Sequence, residues 1–138
     1  MKSTALRRVL GTTVALGTLA VGALVTAAPA SAANKDGSLD YNEFALFYED
    51  GQHDSWTDFF YDEALLNNDR FLTAGIGSGQ IVDNNAESYF NYDNVTWHVY
   101  TGSYANGVEG WIPRETLGDF SSNFTNQVSS IYDNDANG

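Results

Sequence analysis

Between residues 44 and 132 the chain is a succession of short runs of aromatic and β-branched residues, punctuated by Gly, Asn and Asp. The runs are FALFYE (44–49), WTDFFY (56–61), QIVD (80–83), ESYFN (87–91), VTWHVY (95–100), GWIP (110–113) and QVSSIY (127–132). Runs this short and this evenly punctuated do not carry the long apolar stripe that a packed helix needs. They read as strands of an all-β sandwich or barrel. One stretch, DEALLNNDRFL (62–72), has helical character, enough for a turn or two. The chain has no cysteine. A small exported domain without disulfides must hold itself with its core, and three Trp, eight Tyr and eight Phe supply one.

Residues 1–32 read as a cleavable signal peptide: Lys2, Arg7 and Arg8, then an apolar run from Val9 to Ala28, then the cleavage signal Ala30-Ser31-Ala32. Arg7-Arg8 is read as part of an ordinary export signal rather than a twin-arginine one. Residues 33–138 are then one domain, secreted and extracellular. They hold three basic and all eighteen acidic residues, a formal charge of −15. Phosphate contacts need Lys and Arg, so nucleic acid is excluded as a partner. No second apolar run approaches membrane length, so no membrane contact is expected after cleavage. Such a charge suits solubility, a cation or a basic partner. We expect a monomer.

NKDGSLDYNEF (34–44) matches the back half of an EF-hand loop, with Asp36, Gly37, Asp40 and Glu43 in ligand and turn positions. The first ligand position is Ala32, and the segment that follows Glu43 reads as strand. An EF-hand needs a helix on each side, so residues 36–43 are expected to be a polar turn entering the first strand. The terminal DNDANG (133–138) lacks the loop's second half and is expected to be an acidic tail.

No enzyme is expected. There is no G-x-S-x-G elbow around Ser78, no cysteine nucleophile and no H-E-x-x-H. GIGSG (75–79) lacks the lysine of a phosphate loop. His53 and His98 have no third partner at metal-ligand spacing. Trp56, Tyr61, Tyr104 and Trp111 have the chemistry to stack on sugars, but in a small domain they are expected to be core or half-buried strand residues.

A weak internal repeat is present. ALFYEDGQHDSWTDFF and WHVYTGSYANGVEGWI follow one course, with seven residues from Tyr48 to Ser55 and seven from Tyr100 to Gly107. Each closes with an Asn-led loop and serines, NNAESY (84–89) and TNQVSS (125–130). This layout resembles a βγ-crystallin-like sandwich of two Greek-key motifs. More closely, the chain resembles the secreted bacterial metalloproteinase inhibitors that carry that fold. The residues concerned are Phe44-Ala45-Leu46-Phe47-Tyr48-Glu49-Asp50, Asn84-Asn85-Ala86-Glu87-Ser88, Thr96-Trp97-His98-Val99-Tyr100 and Asn126-Gln127-Val128-Ser129-Ser130-Ile131. The chain departs from that family at Ala45 and His98, where cysteines stand, and at His53, Ser55, Tyr89 and Thr125.

The resemblance implies a protein that blocks an extracellular peptidase by stoichiometric binding. It leaves the inhibitory loop unassigned, with the turns at 73–79 and 102–110 as the places to look. Its alternative is a calcium-stabilised extracellular βγ-crystallin binding module with no peptidase target. In that case the carbonyls of Ala86 and Gln127 and the hydroxyls of Ser88 and Ser129 would be ligands, with Glu49 and Thr101 from the hairpins. Calcium accepts such sets because it takes six to eight oxygens in loose geometry. No cofactor is required otherwise. The resemblance also implies that Ala45 and His98, in the cysteine positions, lie side by side on adjacent strands.

Overall fold

A computed structural model describes residues 33–133; the signal-peptide expectation and most of the acidic tail lie outside them. The strands are β1 (Glu43–Glu49), β2 (His53–Phe59), β3 (Ser88–Tyr92), β4 (Trp97–Tyr100), β5 (Glu109–Ile112), β6 (Thr116–Asp119) and β7 (Ser130–Asp133). They form two antiparallel sheets, β2-β1-β3-β6 and β5-β4-β7. Among the described residues no helix is long and apolar enough to cross a membrane.

β6 belongs by sequence to the second motif but pairs with β3 of the first. The reciprocal exchange is reduced to one residue. Glu63 exchanges both backbone bonds with Ile131 of β7, at 2.8 and 2.9 Å. Each Greek key therefore lends a piece to the other's sheet, and neither could close its edge alone.

Period-two alternation sets the core. Phe44 and Leu46 of β1 and Trp97 and Val99 of β4 all point between the sheets, and Phe44 stacks on Trp97 at 4.9 Å. The buried Trp97 ring keeps its N–H satisfied by donating to Asp93 Oδ2 at 2.9 Å. Fully buried Asn91 of β3 donates to the carbonyls of Val95 and Ile112, pinning one sheet to the other.

The same alternation corrects the pairing drawn for Ala45 and His98. Ala45 is in one sheet and His98 in the other, each on the outward side of its strand. They are counterparts in the two repeats, and counterparts in a two-sheet sandwich face away from each other. A disulfide between them would have to cross the core, far beyond the 4.4–6.8 Å that such a bridge spans.

β6 was not foreseen, because TLGD has no apolar alternation. It is an edge strand with Leu117 exposed, and Gly118 passes so close to Tyr89 that a Cβ would lie 2.9 Å from its hydroxyl. Conversely, QIVD makes only the isolated bridge between Arg70 and Ile81, and Val82 is a core anchor in a loop. The helical stretch shrinks to one 3-10 turn, Leu66–Asn68. The backbone bridges at Glu63 and Arg70 leave no room for more.

No helix follows residues 34–43, because Glu43 already opens β1. The segment is a strap over the outer side of the first sheet. The N–H groups of Asp36 and Gly37 both donate to the Asp58 carboxylate, at 3.0 and 2.7 Å, and Asp40 N–H donates to Glu43. Lys35 pairs with Glu63 and Asp69. Of the carboxylates that imitate a calcium loop, Asp36 and Glu43 thus hold backbone, at Ser38 and Asp40, while Asp40 Oδ1 is buried without a partner among the described residues.

Two buried serines lock the hairpins. Ser88 Oγ donates to Glu49 O at 2.6 Å and accepts from Gln52 N–H; Ser130 Oγ donates to Gly102 O at 2.6 Å and accepts from Ala105 N–H. Gln52 and Ala105 both have positive φ, at 58° and 60°, because each hairpin folds back over its own sheet. Ser88→Ala or Ser130→Ala strands one donor and one acceptor. Each should cost about 1–3 kcal/mol, read as a lower urea midpoint. An unchanged midpoint would show that these hydroxyls do not hold the hairpins.

Candidate functional site

The interleaved loops at 82–88 and 124–130 meet as reciprocal partners. Asn126 N–H donates to Ala86 O at 2.8 Å, and Asn84 N–H donates to Val128 O at 3.1 Å. Asn84 and Asn126 both adopt the left-handed conformation, φ 62° and 57°, which Asn tolerates better than most residues. Their side chains reach across. Asn126 Nδ2 donates to Glu87 Oε2 at 2.8 Å, and Ser129 Oγ lies 3.4 Å from Asn84 Oδ1.

These contacts fix the repeat register, one residue away from the sequence reading. Glu87 N–H donates to Phe47 O just as Ser129 N–H donates to Tyr100 O. Phe47, not Tyr48, is therefore the counterpart of Tyr100. The left-handed counterpart of Gly107 is Asp54, φ 64°, not Ser55. Ser88 matches Ser130, and Glu87 matches Ser129.

The proposed calcium donors fare unequally. Ser88 is fully buried, with its hydroxyl given to Glu49 O and Gln52 N–H. The Ala86 carbonyl already accepts Asn126 N–H. Thr101 Oγ1 accepts Val108 N–H at 2.9 Å inside its own hairpin. Gln127 and Ser129 keep their places. Glu49 is half-buried, and its carboxylate makes no hydrogen bond among the described residues. In the structural register the first loop's counterparts of Gln127 and Ser129 are Asn85 and Glu87, so a carboxylate stands where a hydroxyl was expected. Among the described residues no cluster of three or more His, Asp or Glu side chains could hold a metal. A cation here would depend on backbone carbonyls.

A second feature lies at residues 70–81. The base of this hairpin is closed by Phe71 N–H to Gln80 O at 3.0 Å and Gly79 N–H to Phe71 O at 2.9 Å. Its flank is tied to the start of β2. Ser55 Oγ donates to Thr73 O, Trp56 N–H to Thr73 Oγ1, and Leu72 N–H to Trp56 O. At the tip, Ile76 N–H donates to Asp54 Oδ1 and Ile76 O accepts Ser55 N–H. Gly75, Gly77 and Gly79 all have positive φ, and Gly77 lies flat against the Tyr48 ring. The glycine run that is not a phosphate loop is thus a geometric device. It presents the Ile76 side chain to solvent, 61% exposed, on backbone that cannot move freely.

The surface aromatics also differ from expectation. Trp56 is half-buried, but Tyr61, Tyr104 and Trp111 are exposed, Trp111 at 70%. Trp111 stands on the outward side of β5, where strand alternation alone could not say whether another layer would cover it.

No family model and no curated protein sequence matches the chain. Solved structures do. One, described for the evolution of the eye lens βγ-crystallin domain fold, superposes with a TM-score of 0.57 at 10% identity, covering 75% of this chain and 91% of its own. A βγ-crystallin domain from Flavobacterium johnsoniae gives 0.51 at 11% identity, covering 64% and 90%. The N-terminal domain of protein S gives 0.51 at 16%, covering 65% and 92%. The chain has the βγ-crystallin fold.

Proposed function

We propose that this βγ-crystallin-like domain is a secreted protein that blocks an extracellular peptidase by stoichiometric binding, with the 70–81 hairpin as its inhibitory element. The observation that carries this reading is Ile76, an apolar side chain held in solvent on a loop whose backbone is tied on both sides. A rigid loop loses little entropy when it enters a cleft, and it resists being drawn into a cleavable conformation. The turn at 102–110 is the weaker place, since its exposed Tyr104 and Val108 flank the lock made by Ser130.

The test is titration of extracellular metallo- and serine peptidases with the purified protein. Inhibition should be complete near one equivalent for at least one peptidase. Ile76→Asp should weaken it about a hundredfold without unfolding the domain, the size expected of a central anchor residue. Failure to inhibit any of them ends this reading.

A calcium-stabilised extracellular module is a second reading, favoured by the reciprocal loops that set Glu87 and Ser129 in equivalent places. Calcium should then raise the melting temperature above its value in chelator, and Glu87→Gln should shrink the rise. Equal melting temperatures would end this reading and leave the first intact.

A further inference from the structure

The outward side of the second sheet carries two rows of side chains in register. Trp111, His98 and Tyr132 form one, from β5, β4 and β7; Glu109 and Tyr100 stand beside them in the next. Glu109 organises the group through a single oxygen. Its Oε2 accepts from His98 Nδ1 at 2.5 Å, from Trp111 Nε1 at 2.8 Å and from Tyr100 OH at 3.3 Å. Its Oε1 has no partner among the described residues. These donors hold the Glu109 carboxyl below the usual carboxylate range, His98 first among them, so it is an anion at neutral pH.

Trp111 is therefore an indole with one edge fixed and one face open. Burial does not explain it, since the ring is 70% exposed, and the core does not need it. The hydrogen bond to Glu109 orients the ring at a place where an unrestrained side chain would rotate. A fixed aromatic face beside an unfilled carboxylate oxygen has the two elements that attract a cation: ring quadrupole and negative charge.

We propose that this face, centred on Trp111 and Glu109, docks a positively charged side chain, arginine or lysine, of a basic protein partner. Charge complementarity selects that occupant. Residues 33–138 carry eighteen acidic and three basic residues. Of the three, Lys35 is paired with Glu63 and Asp69, and Arg70 donates to Gly79 O. Arg114 forms no ion pair among the described residues. Among the described residues no lysine or arginine pairs with Glu109; His98 is bonded to its Oε2. A neutral glycan would stack on the same ring and could donate a hydroxyl to the carboxylate, but it would bring no opposite charge to residues whose formal charge is −15. The site is separate from the 70–81 hairpin and stands whether or not a peptidase is the partner.

The experiment is a titration of ¹⁵N-labelled protein with the peptide acetyl-Gly-Arg-Gly-Arg-Gly-amide, following the Trp111 indole N–H resonance, identified by its loss in Trp111→Phe. The resonance should shift saturably. Affinity should fall at least about tenfold in Trp111→Ala, in Glu109→Gln, and when citrulline replaces arginine. Asp50→Asn, an exposed carboxylate on the first hairpin, should leave affinity unchanged. The proposal is overturned if the Trp111 resonance stays still, if the citrulline peptide binds equally, or if Asp50→Asn weakens binding as much as Glu109→Gln. It is also overturned if tri-N-acetylchitotriose moves the resonance and the arginine peptide does not.

Discussion

Gly77→Ala should destabilise the domain by about 3 kcal/mol or more, through overpacking and a left-handed backbone together. A Cβ on Gly77 would lie 2.2 Å from Cγ of Tyr48 and 2.4 and 2.6 Å from its two Cδ atoms. The ring cannot retreat, because it packs edge-on against the buried Phe71 ring at 5.4 Å. Gly77 also has φ +91°, where an alanine is strained before any contact is counted. Gly79→Ala separates the two causes. Gly79 has φ +83° but nothing within 4 Å of the added carbon, so it should lose only about 1–2 kcal/mol. Urea unfolding of both variants measures the difference. Equal losses would mean that the contact with Tyr48 does not fix the loop. The proposed inhibitory role ties to this result: Gly77→Ala should lose inhibition even at temperatures where the domain stays folded.

The second large effect is on pH. Glu43 opens β1, has no solvent exposure, and keeps Oε1 without a hydrogen-bond partner. Burial raises its pKa from 4.5 to about 8, against the opposing bond from Asp40 N–H and with the help of Asp58, Asp40 and Asp36. The unfolded chain gives up this proton near pH 4.5 and the folded chain only near 8. Between those values the unfolded state binds fewer protons, so stability falls as pH rises. The loss should be a few kcal/mol, with about 4–5 as a ceiling. Asp58, Asp69 and Asp133 are also raised by burial, Asp133 to about 6, and act in the same direction. The domain should therefore be more stable near pH 5 than at pH 8, the reverse of a protein held by salt-bridged carboxylates. Glu43→Gln removes the charge permanently. It should flatten the profile and gain about 1–3 kcal/mol at pH 8. Denaturation at pH 5, 6.5 and 8 decides. Stability that rises with pH, or a Glu43→Gln variant weaker than the parent at pH 8, would show that Glu43 is stabilised as an anion.

The sequence by itself determined the fold class, the two-motif layout and most strands. Those properties live in local alternation: Phe44 and Leu46, or Trp97 and Val99, must share a face whatever surrounds them. It also argued against an EF-hand, because the segment after Glu43 reads as strand where such a loop needs a helix, and β1 stands there. Only the tertiary structure decided the repeat register. Phe47-Tyr48 offers two adjacent aromatics, and Ser88 against Ser129-Ser130 offers two alignments. The choice rests on which serine reaches Glu49 O or Gly102 O, a contact between residues far apart in the chain. That one-residue difference moves the first loop's donors from Ala86 and Ser88 to Asn85 and Glu87. The crossing of β6 into the first sheet was likewise invisible, since an exposed edge strand needs no apolar pattern. So was the exposure of Trp111, because alternation says which side of a strand a residue takes and not whether anything covers that side.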